Sequence, residues 1–402
     1  MKKLIFGYGA TGKSVESYFQ KNNIEYFIYD DNKDINISNE LLFDEKNFDE
    51  IDEVIISPGI KPTHQLLDKI KSKELSINTD IDLFNNLYNG KIIGVTGTNG
   101  KTTFVNLLTD YLNTQEIKSI AVGNVGKSPL EIVDEDYEFV VMELSSFQIY
   151  YINNLNLYKA IVLNIYEDHL DWHQNFEDYR NSKLKIWEFV STEDIKDGDY
   201  TYRVDLSNIH PEQTRKESLF RKSGIFEIAS NLPFHEDTLF SFIEILRDLD
   251  LNIDSIDKFL SNYKTEEHRY EFVDKFNEIT FINDSKSTNF HSVSMATNKI
   301  NNGVLVLHGL TKNITSKDLK ISDNVNTILV PKDMEIDLRG TKAKLIILNS
   351  IFDIEKELLK IIKPGDTVLF SCGGASFNDF KNYEERGNFF KSVVLNIKEK
   401  ND

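Results

Sequence analysis

The stretch 91-Lys-Ile-Ile-Gly-Val-Thr-Gly-Thr-Asn-Gly-Lys-Thr-Thr-103 decides the fold. Ile92, Ile93 and Val95 form a short apolar strand, and Phe104-Val105-Asn106-Leu107-Leu108 opens a helical pattern. Between them lies a glycine-rich turn followed by a lysine and two hydroxyls, the layout of a phosphate-binding loop. Backbone N–H groups of Gly97, Thr98, Asn99, Gly100, Lys101, Thr102 and Thr103 can close around phosphate oxygens. The helix N-terminus adds a partial positive charge, Lys101 a full one, and the Thr102 hydroxyl suits Mg²⁺. Val95 stands where the strict nucleotide loop has glycine, so this is a shorter variant of that loop.

Upstream, residues 2–6 read as a strand that runs into Gly7-Tyr8-Gly9-Ala10-Thr11-Gly12, with a helix through Phe19. A second strand over residues 25–29 ends in Asp30-Asp31. This is a βαβ dinucleotide-binding fingerprint with the acidic pair about twenty residues on. Alone it would fit a nicotinamide enzyme, but the same turn takes the diphosphate of any nucleotide-linked ligand, a UDP-sugar included. A further strand runs into Ser57-Pro58-Gly59, whose ends face a ligand or simply turn. A strand at 76–78, a helix at 80–88 and the turn Asn89-Gly90 close this first segment.

Downstream, a strand over 137–142 ends in Glu143-Leu144-Ser145-Ser146, and a strand over 160–165 ends in Glu167-Asp168-His169. A carboxylate on a strand end beside a phosphate-loop strand suits a Mg²⁺ ligand. Glu143 and His169 are expected on one rim. His169 and His173, four apart, are a weaker zinc reading. Residues 176–190 have the apolar spacing of one amphipathic helix, and Lys183 falls among its apolar positions. Such a lysine snorkels to water, finds a buried partner, or reacts as a neutral amine with CO₂ to give a carbamate. Residues 201–226 show no period, and helices follow at 237–249 and 253–263.

The last third alternates strand and helix, with strands at 279–283, 304–307, 327–330, 345–348 and 367–370. Asp284, Lys286, His308, Lys312 and Ser376 repeatedly occupy strand carboxyl ends, which marks a binding edge. The expected fold class is α/β in three domains: Rossmann-like over 1–89, a phosphate-loop mononucleotide-binding parallel sheet over 90–266, and Rossmann-like α/β over 267–402.

The chain has 402 residues, a formal net charge of −19, and Cys372 as its single cysteine. That charge repels nucleic acid and anionic membranes, and one cysteine excludes an internal disulfide. No apolar run reaches membrane-spanning length. The apolar start breaks off too early for a signal peptide. A cytoplasmic monomer, with no nucleic-acid partner and no membrane insertion, is expected.

Several motifs occur in one order: Gly-Thr-Asn-Gly-Lys-Thr-Thr (97–103), Glu-Leu-Ser-Ser-Phe-Gln (143–148), Asp-His-Leu-Asp (168–171), Tyr-Arg-Asn-Ser-Lys (179–183), His-Arg (268–269), Asp-Ser-Lys-Ser-Thr-Asn (284–289) and Ser-Phe-Asn-Asp-Phe-Lys-Asn-Tyr-Glu-Glu-Arg-Gly (376–387). Together they resemble the Mur ligases, ATP-dependent amide ligases of cell-wall synthesis. The closing Glu-Glu-Arg-Gly points to the member that adds D-glutamate to UDP-N-acetylmuramoyl-L-alanine. A sister ligase for another amino acid and a scaffold that has lost catalysis are the alternatives. The first domain speaks against a folate polyglutamate synthase.

The resemblance implies roles. Lys101 and the loop amides would hold the ATP phosphates. Thr102, Glu143, His169 and a carbamylated Lys183 would hold two Mg²⁺ ions. Arg269 and Asp284 would contact ATP, while Asn124 and Ser145 would lie near the muramoyl substrate. Lys286, Thr288, Lys312, Ser376 and Tyr383 would receive D-glutamate. Gly9, Thr11, Asp30, Ser57 and Gly59 would cradle the UDP part. Two departures stand out. The family's His-Asn-x-x-Asn stretch, associated with adenine, is matched by His235-Glu236-Asp237-Thr238-Leu239 without either asparagine. Tyr383 stands where phenylalanine is common.

Overall fold

A computed structural model describes residues 1–190, 213–229, 232–311, 319–338 and 340–401. Its described residues divide into two compact units. The first takes 1–165, 177–190 and 244–251, and the second takes 166–176, 213–229, 232–243 and 252–401 apart from the undescribed positions.

The first unit carries two sheets. Strand β1 (Lys2–Phe6) leads through helix α1 (Ala10–Lys21) to β2 (Tyr26–Tyr29), β3 (Ile51–Ile56), α2 (Gln65–Ser72), β4 (Ser76–Asn78) and α3 (Asp80–Leu87). The strands are parallel in the order β2-β1-β3-β4. Leu4, Phe6, Val54 and Ile56 point into a core closed by Leu66, Leu67 and Ile70 of α2. The carboxyl halves of β1 (Leu4 to Phe6) and β3 (Val54 to Ile56) are apolar and buried on both faces, as parallel strands covered on both sides require.

The second sheet starts with β5 (Lys91–Thr96) and continues through α4 (Lys101–Thr114), β6 (Ser119–Gly123), β7 (Phe139–Glu143), α5 (Ser146–Tyr151) and β8 (Lys159–Val162). Its parallel order is β6-β7-β5-β8, so the phosphate-loop strand lies between β7 and β8. The helix expected over 176–190 is shorter. α6 covers Phe176–Leu184, and Lys185–Phe189 tightens into a 3₁₀ turn. The apolar spacing continues through both, which is why the sequence reads as one helix. Strand β8 stops at Val162, seven residues before His169, which sits in a loop with φ 55° instead of on a strand end.

The second unit contains α7 (Gln213–Lys222), α8 (Phe226–Ala229), α9 (Glu236–Asp248, its last turn counted with the first unit) and α10 (Ile256–Asn262). It then builds β9 (Glu271–Phe276), β10 (Ile279–Asp284), α11 (Phe290–Thr297), β11 (Gly303–His308), β12 (Val325–Pro331), β13 (Lys344–Leu348), α12 (Ile354–Ile361), β14 (Thr367–Gly373) and α13 (Tyr383–Asn401). The sheet order is β13-β12-β11-β14-β10-β9. Only β9 runs antiparallel, paired to β10 through the two-residue turn Asn277-Glu278, both at positive φ (48° and 60°). That is the twist a tight hairpin needs. Two apolar layers sandwich the sheet. One carries Phe281, Phe370 and Phe390, and the other Phe290, Val293 and Leu307.

Candidate functional site

In the first unit, β5 delivers the chain into the loop 97–100, and α4 starts at Lys101. Gly100 is the residue before the helix, at φ 82°, a conformation that admits glycine readily and a β-branched residue poorly. No side chain caps this helix start, so its N–H groups face the loop. Lys101 Nζ donates to Gly97 O at 2.7 Å and Thr98 O at 3.0 Å. The ammonium therefore folds over the loop.

A residue the sequence reading passed over holds this loop. Asn164 is fully buried. Its Oδ1 accepts from Asn99 N at 2.9 Å, its Nδ2 donates to Asn99 O at 3.1 Å, and its backbone O accepts from Thr98 N at 2.9 Å. The Thr98 hydroxyl pairs with Tyr179 OH at 2.8 Å. A single asparagine behind an apolar strand carries no pattern of its own. Its only signal was its place two residues past β8, beside the loop strand.

Glu143 closes β7 and is 1% exposed. Its Oε2 accepts from the Thr102 hydroxyl at 2.8 Å and its Oε1 from Asn124 Nδ2 at 2.9 Å. Lys183 points inward at 2% exposure. Its Nζ donates to Gly97 O at 2.8 Å and lies 4.8 Å from the Tyr179 ring centre. This inward placement against Gly97 O sets aside the option of a side chain that snorkels to water. Thr102, Glu143, Asn124, Lys101 and Lys183 thus share one neighbourhood at the carboxyl ends of β5 and β7. Ser145 caps α5, trading bonds with Gln148. The donor set around Thr102 and Glu143 is hydroxyl and carboxylate oxygen, which fits a hard divalent cation.

At the head of the first sheet, Gly9 precedes α1 and no side chain caps that helix. Asp30 shapes the turn: its Oδ2 accepts from Tyr8 N at 2.5 Å and its Oδ1 from Asn32 N at 2.8 Å. Ser57 Oγ donates to Gly7 O at 2.7 Å. Thr11 lies in the first turn of α1, and Gly59 follows β3 in open space.

In the second unit, His169 N bonds its neighbour's carboxylate, Asp168 Oδ1, at 2.8 Å, and Asp168 Oδ2 accepts from Asn289 Nδ2 at 3.2 Å. Among the described residues no three His, Cys, Asp or Glu side chains gather as a metal site. Asp284 is 7% exposed and turned inward. It accepts from Tyr270 N at 3.0 Å, Ser371 Oγ at 2.7 Å and Ser287 Oγ at 2.5 Å. Burial pushes its carboxyl up to about 6 against these hydrogen bonds. Arg269 Nε lies 4.0 Å from Glu266. Lys286 Nζ sits 4.0 Å from the Tyr383 ring centre, which brings two expected amino-acid contacts together. Thr288 is half-buried and Ser376 buried. Lys312 lies outside the described residues.

No described helix is long and apolar enough to cross a membrane. A family model for the Mur ligase middle domain matches residues 95–218. A UDP-N-acetylmuramoylalanine–D-glutamate ligase from Francisella philomiragia is 32% identical, covering 99% of this chain and 97% of its own. The ligase of the same name from Thermotoga petrophila is 27% identical, covering 97% of each chain. Among solved structures, the UDP-N-acetylmuramate–alanine ligase of Thermotoga maritima superposes with a TM-score of 0.53 at 15% identity, over 98% of this chain and 100% of that one. The MurF ligase of Thermotoga maritima in complex with ADP gives a TM-score of 0.50 at 15% identity, over 99% and 94%.

Proposed function

The chain belongs to the Mur ligases, among the UDP-N-acetylmuramoylalanine–D-glutamate ligases, and on that premise we propose how its own residues carry the reaction. It is an ATP-dependent amide ligase of peptidoglycan precursor synthesis that adds D-glutamate to UDP-N-acetylmuramoyl-L-alanine. The observation that carries the assignment of the centre is the Thr102–Glu143 hydrogen bond at the phosphate loop.

In this reading the substrate carboxylate takes the γ-phosphoryl group of ATP, giving an acyl phosphate and ADP. The amine of D-glutamate then displaces phosphate and forms the amide. Lys101 leaves the loop carbonyls for the phosphate oxygens, and the loop amides orient the triphosphate for in-line transfer. Thr102 and Glu143 would hold Mg²⁺, which when bound neutralises charge on the transferring group. By resemblance His169 and a carbamylated Lys183 complete the ligands for two ions. Asn124, which already orients Glu143, and Ser145 would lie near the muramoyl group.

The open start of α1, with Gly9, Thr11, Asp30, Ser57 and Gly59, would take the UDP diphosphate. Arg269 and Asp284 would serve ATP. Lys286, Thr288, Lys312, Ser376 and Tyr383 would receive D-glutamate, with the ammonium of Lys286 matching a substrate carboxylate. We keep 1–89, 90–266 and 267–402 as the three working domains. The protein acts in the cytoplasm as a monomer.

The test is phosphate release from ATP with Mg²⁺ and UDP-N-acetylmuramoyl-L-alanine, offering D-glutamate, L-glutamate, L-lysine or diaminopimelate separately. Turnover with D-glutamate alone is expected. Turnover with another amino acid would move the protein to a sister ligase.

A further inference from the structure

Arg386, in the first turn of α13, is fully buried. Its Nε donates to Ser285 Oγ at 3.0 Å and its Nη2 to Ser285 O at 2.6 Å. Nη1 donates to Gly374 O at 2.9 Å and His308 O at 3.2 Å. Ser285 follows β10, Gly374 follows β14, and His308 ends β11. One guanidinium therefore ties together three strand ends that carry expected substrate contacts.

The same Nη1 lies 3.3 Å from His308 Nδ1. A guanidinium only donates, so Nδ1 accepts and the ring's own proton sits on Nε2. Nε2 in turn stands 2.9 Å from Asp379 Oδ2 and donates to it. The sequence is cation, neutral ring, anion. Burial, and then the nearby Arg386 charge, hold the imidazole below its ordinary range against the opposing pull of Asp379 and Asp333. That keeps the ring in the neutral form the geometry requires.

Asp379 lies in the turn that starts at Ser376. The N–H groups of Asp379 and Phe380 both donate to Ser376 O, at 3.3 and 3.0 Å. The Phe380 ring meets the His308 ring edge-on at 5.5 Å. Beside it, Leu310 and Ala375 exchange two backbone hydrogen bonds of 2.8 Å each. Gly309, at φ 114°, makes that approach possible, because a Cβ there would stand 2.3 Å from Ala375 O. His308 has no exposed side-chain surface, whereas that of Asp379 is 30% exposed. The contact thus runs from the fixed interior to the rim.

We propose that Arg386, His308 and Asp379 form a positioning relay that sets the Ser376 turn for the incoming amino acid. The inference rests on the assignment of that turn to D-glutamate, and the residues act through the turn without touching the reacting atoms. The test is steady-state kinetics of Asp379→Ala, Asp379→Asn and Ser376→Ala, varying each substrate in turn. Asp379 is partly exposed, so its variants should fold, and a thermal melt checks this. Asp379→Ala is expected to raise KM for D-glutamate about tenfold, with kcat and the KM values for ATP and the UDP substrate within about twofold. Asp379→Asn keeps an oxygen that accepts from Nε2 and should recover most of the loss. An unchanged D-glutamate KM in Asp379→Ala overturns the relay, whatever Ser376→Ala does. A raised KM in Asp379→Ala beside an unchanged one in Ser376→Ala keeps the relay and removes only the contact assigned to Ser376.

Discussion

The Thr102 hydroxyl donates to Glu143 Oε2 at 2.8 Å while Asn124 Nδ2 donates to the other carboxylate oxygen at 2.9 Å. Two donors, one in α4 and one in the loop after β6, thus fix a buried carboxylate on the rim of the second sheet. A carboxylate held this way is aimed before any substrate arrives, which is what a cation site needs.

Replacing Glu143 by alanine should abolish turnover by about a thousandfold or more, because charge neutralisation in phosphoryl transfer depends on the cation the carboxylate helps to hold. The stability cost should be modest, about 1–3 kcal/mol, chiefly for taking this acceptor from the buried Thr102 hydroxyl, since Asn124 is exposed and can turn to water. Mg²⁺-dependent phosphate release and a denaturant melt on the same protein separate the two effects. Near-parental turnover in a folded Glu143→Ala enzyme would remove Glu143 from the centre.

Asn164 gives a second expectation. It makes side-chain hydrogen bonds to both Asn99 N and Asn99 O. Asn164→Ala leaves both groups of Asn99 without these partners and frees the loop. KM for ATP should rise about tenfold, equivalent to about 1.4 kcal/mol of lost preorganisation. Asn164→Asp would retain the acceptor for Asn99 N but set a buried carboxylate oxygen against Asn99 O, and should be impaired at least as much as the alanine variant. ATP titration of the three proteins reads this out directly.

The contrast between Lys101 and Asn164 shows what the sequence can carry. The strand, loop and helix around Lys101 are legible because an apolar run, spaced glycines and a helical period coincide. Asn164 acts through a tertiary contact with no local signature. Strand β9 carries no clear sequence signal for a similar reason. It mixes Glu271, Asp274 and Lys275 with an exposed Phe272, and its hairpin turns on Asn277-Glu278 without a glycine. The helix expected over 176–190 was too long because apolar spacing does not distinguish α from 3₁₀ winding over a single turn. The inward turn of Asp284 onto Ser287 and Ser371 was likewise hidden, since a strand-end aspartate looks the same from the sequence whether it faces ligand or core.

Asp80 opens α3 at 4% exposure, with Oδ1 unpartnered among the described residues. Burial pushes its carboxyl up to about 7, with Asp82 adding to the shift and two backbone N–H groups opposing it. A carboxyl with a raised folded pKa binds its proton more tightly folded than unfolded. Stability from this group therefore grows as pH falls from about 7 toward the unfolded value and is lost as pH rises back through 7. Asp80→Asn removes the titration. The melting temperature of the variant minus that of the parent should be largest near pH 8 and shrink as the pH is lowered to 5. A difference that stays flat over that range would place the Asp80 pKa outside it.

Lys183 carries the sharpest chemical expectation. Its amine is buried, donates to Gly97 O at 2.8 Å and lies beside the phosphate loop. Neutralised and carbamylated, the same side chain would become an anionic oxygen donor suited to a hard cation. Activity should then depend on dissolved CO₂, falling in carefully degassed buffer and returning with bicarbonate. Lys183→Arg keeps the positive charge but cannot form the carbamate under these conditions. It should be inactive by about a hundredfold or more, the scale of losing a charge-stabilising group at a transferring phosphoryl. ¹³C NMR of enzyme in labelled bicarbonate should show a carbamate carbon that is missing from the arginine variant. If the enzyme runs at full rate without CO₂ and shows no such carbon, Lys183 works as the unmodified side chain held against Gly97 O.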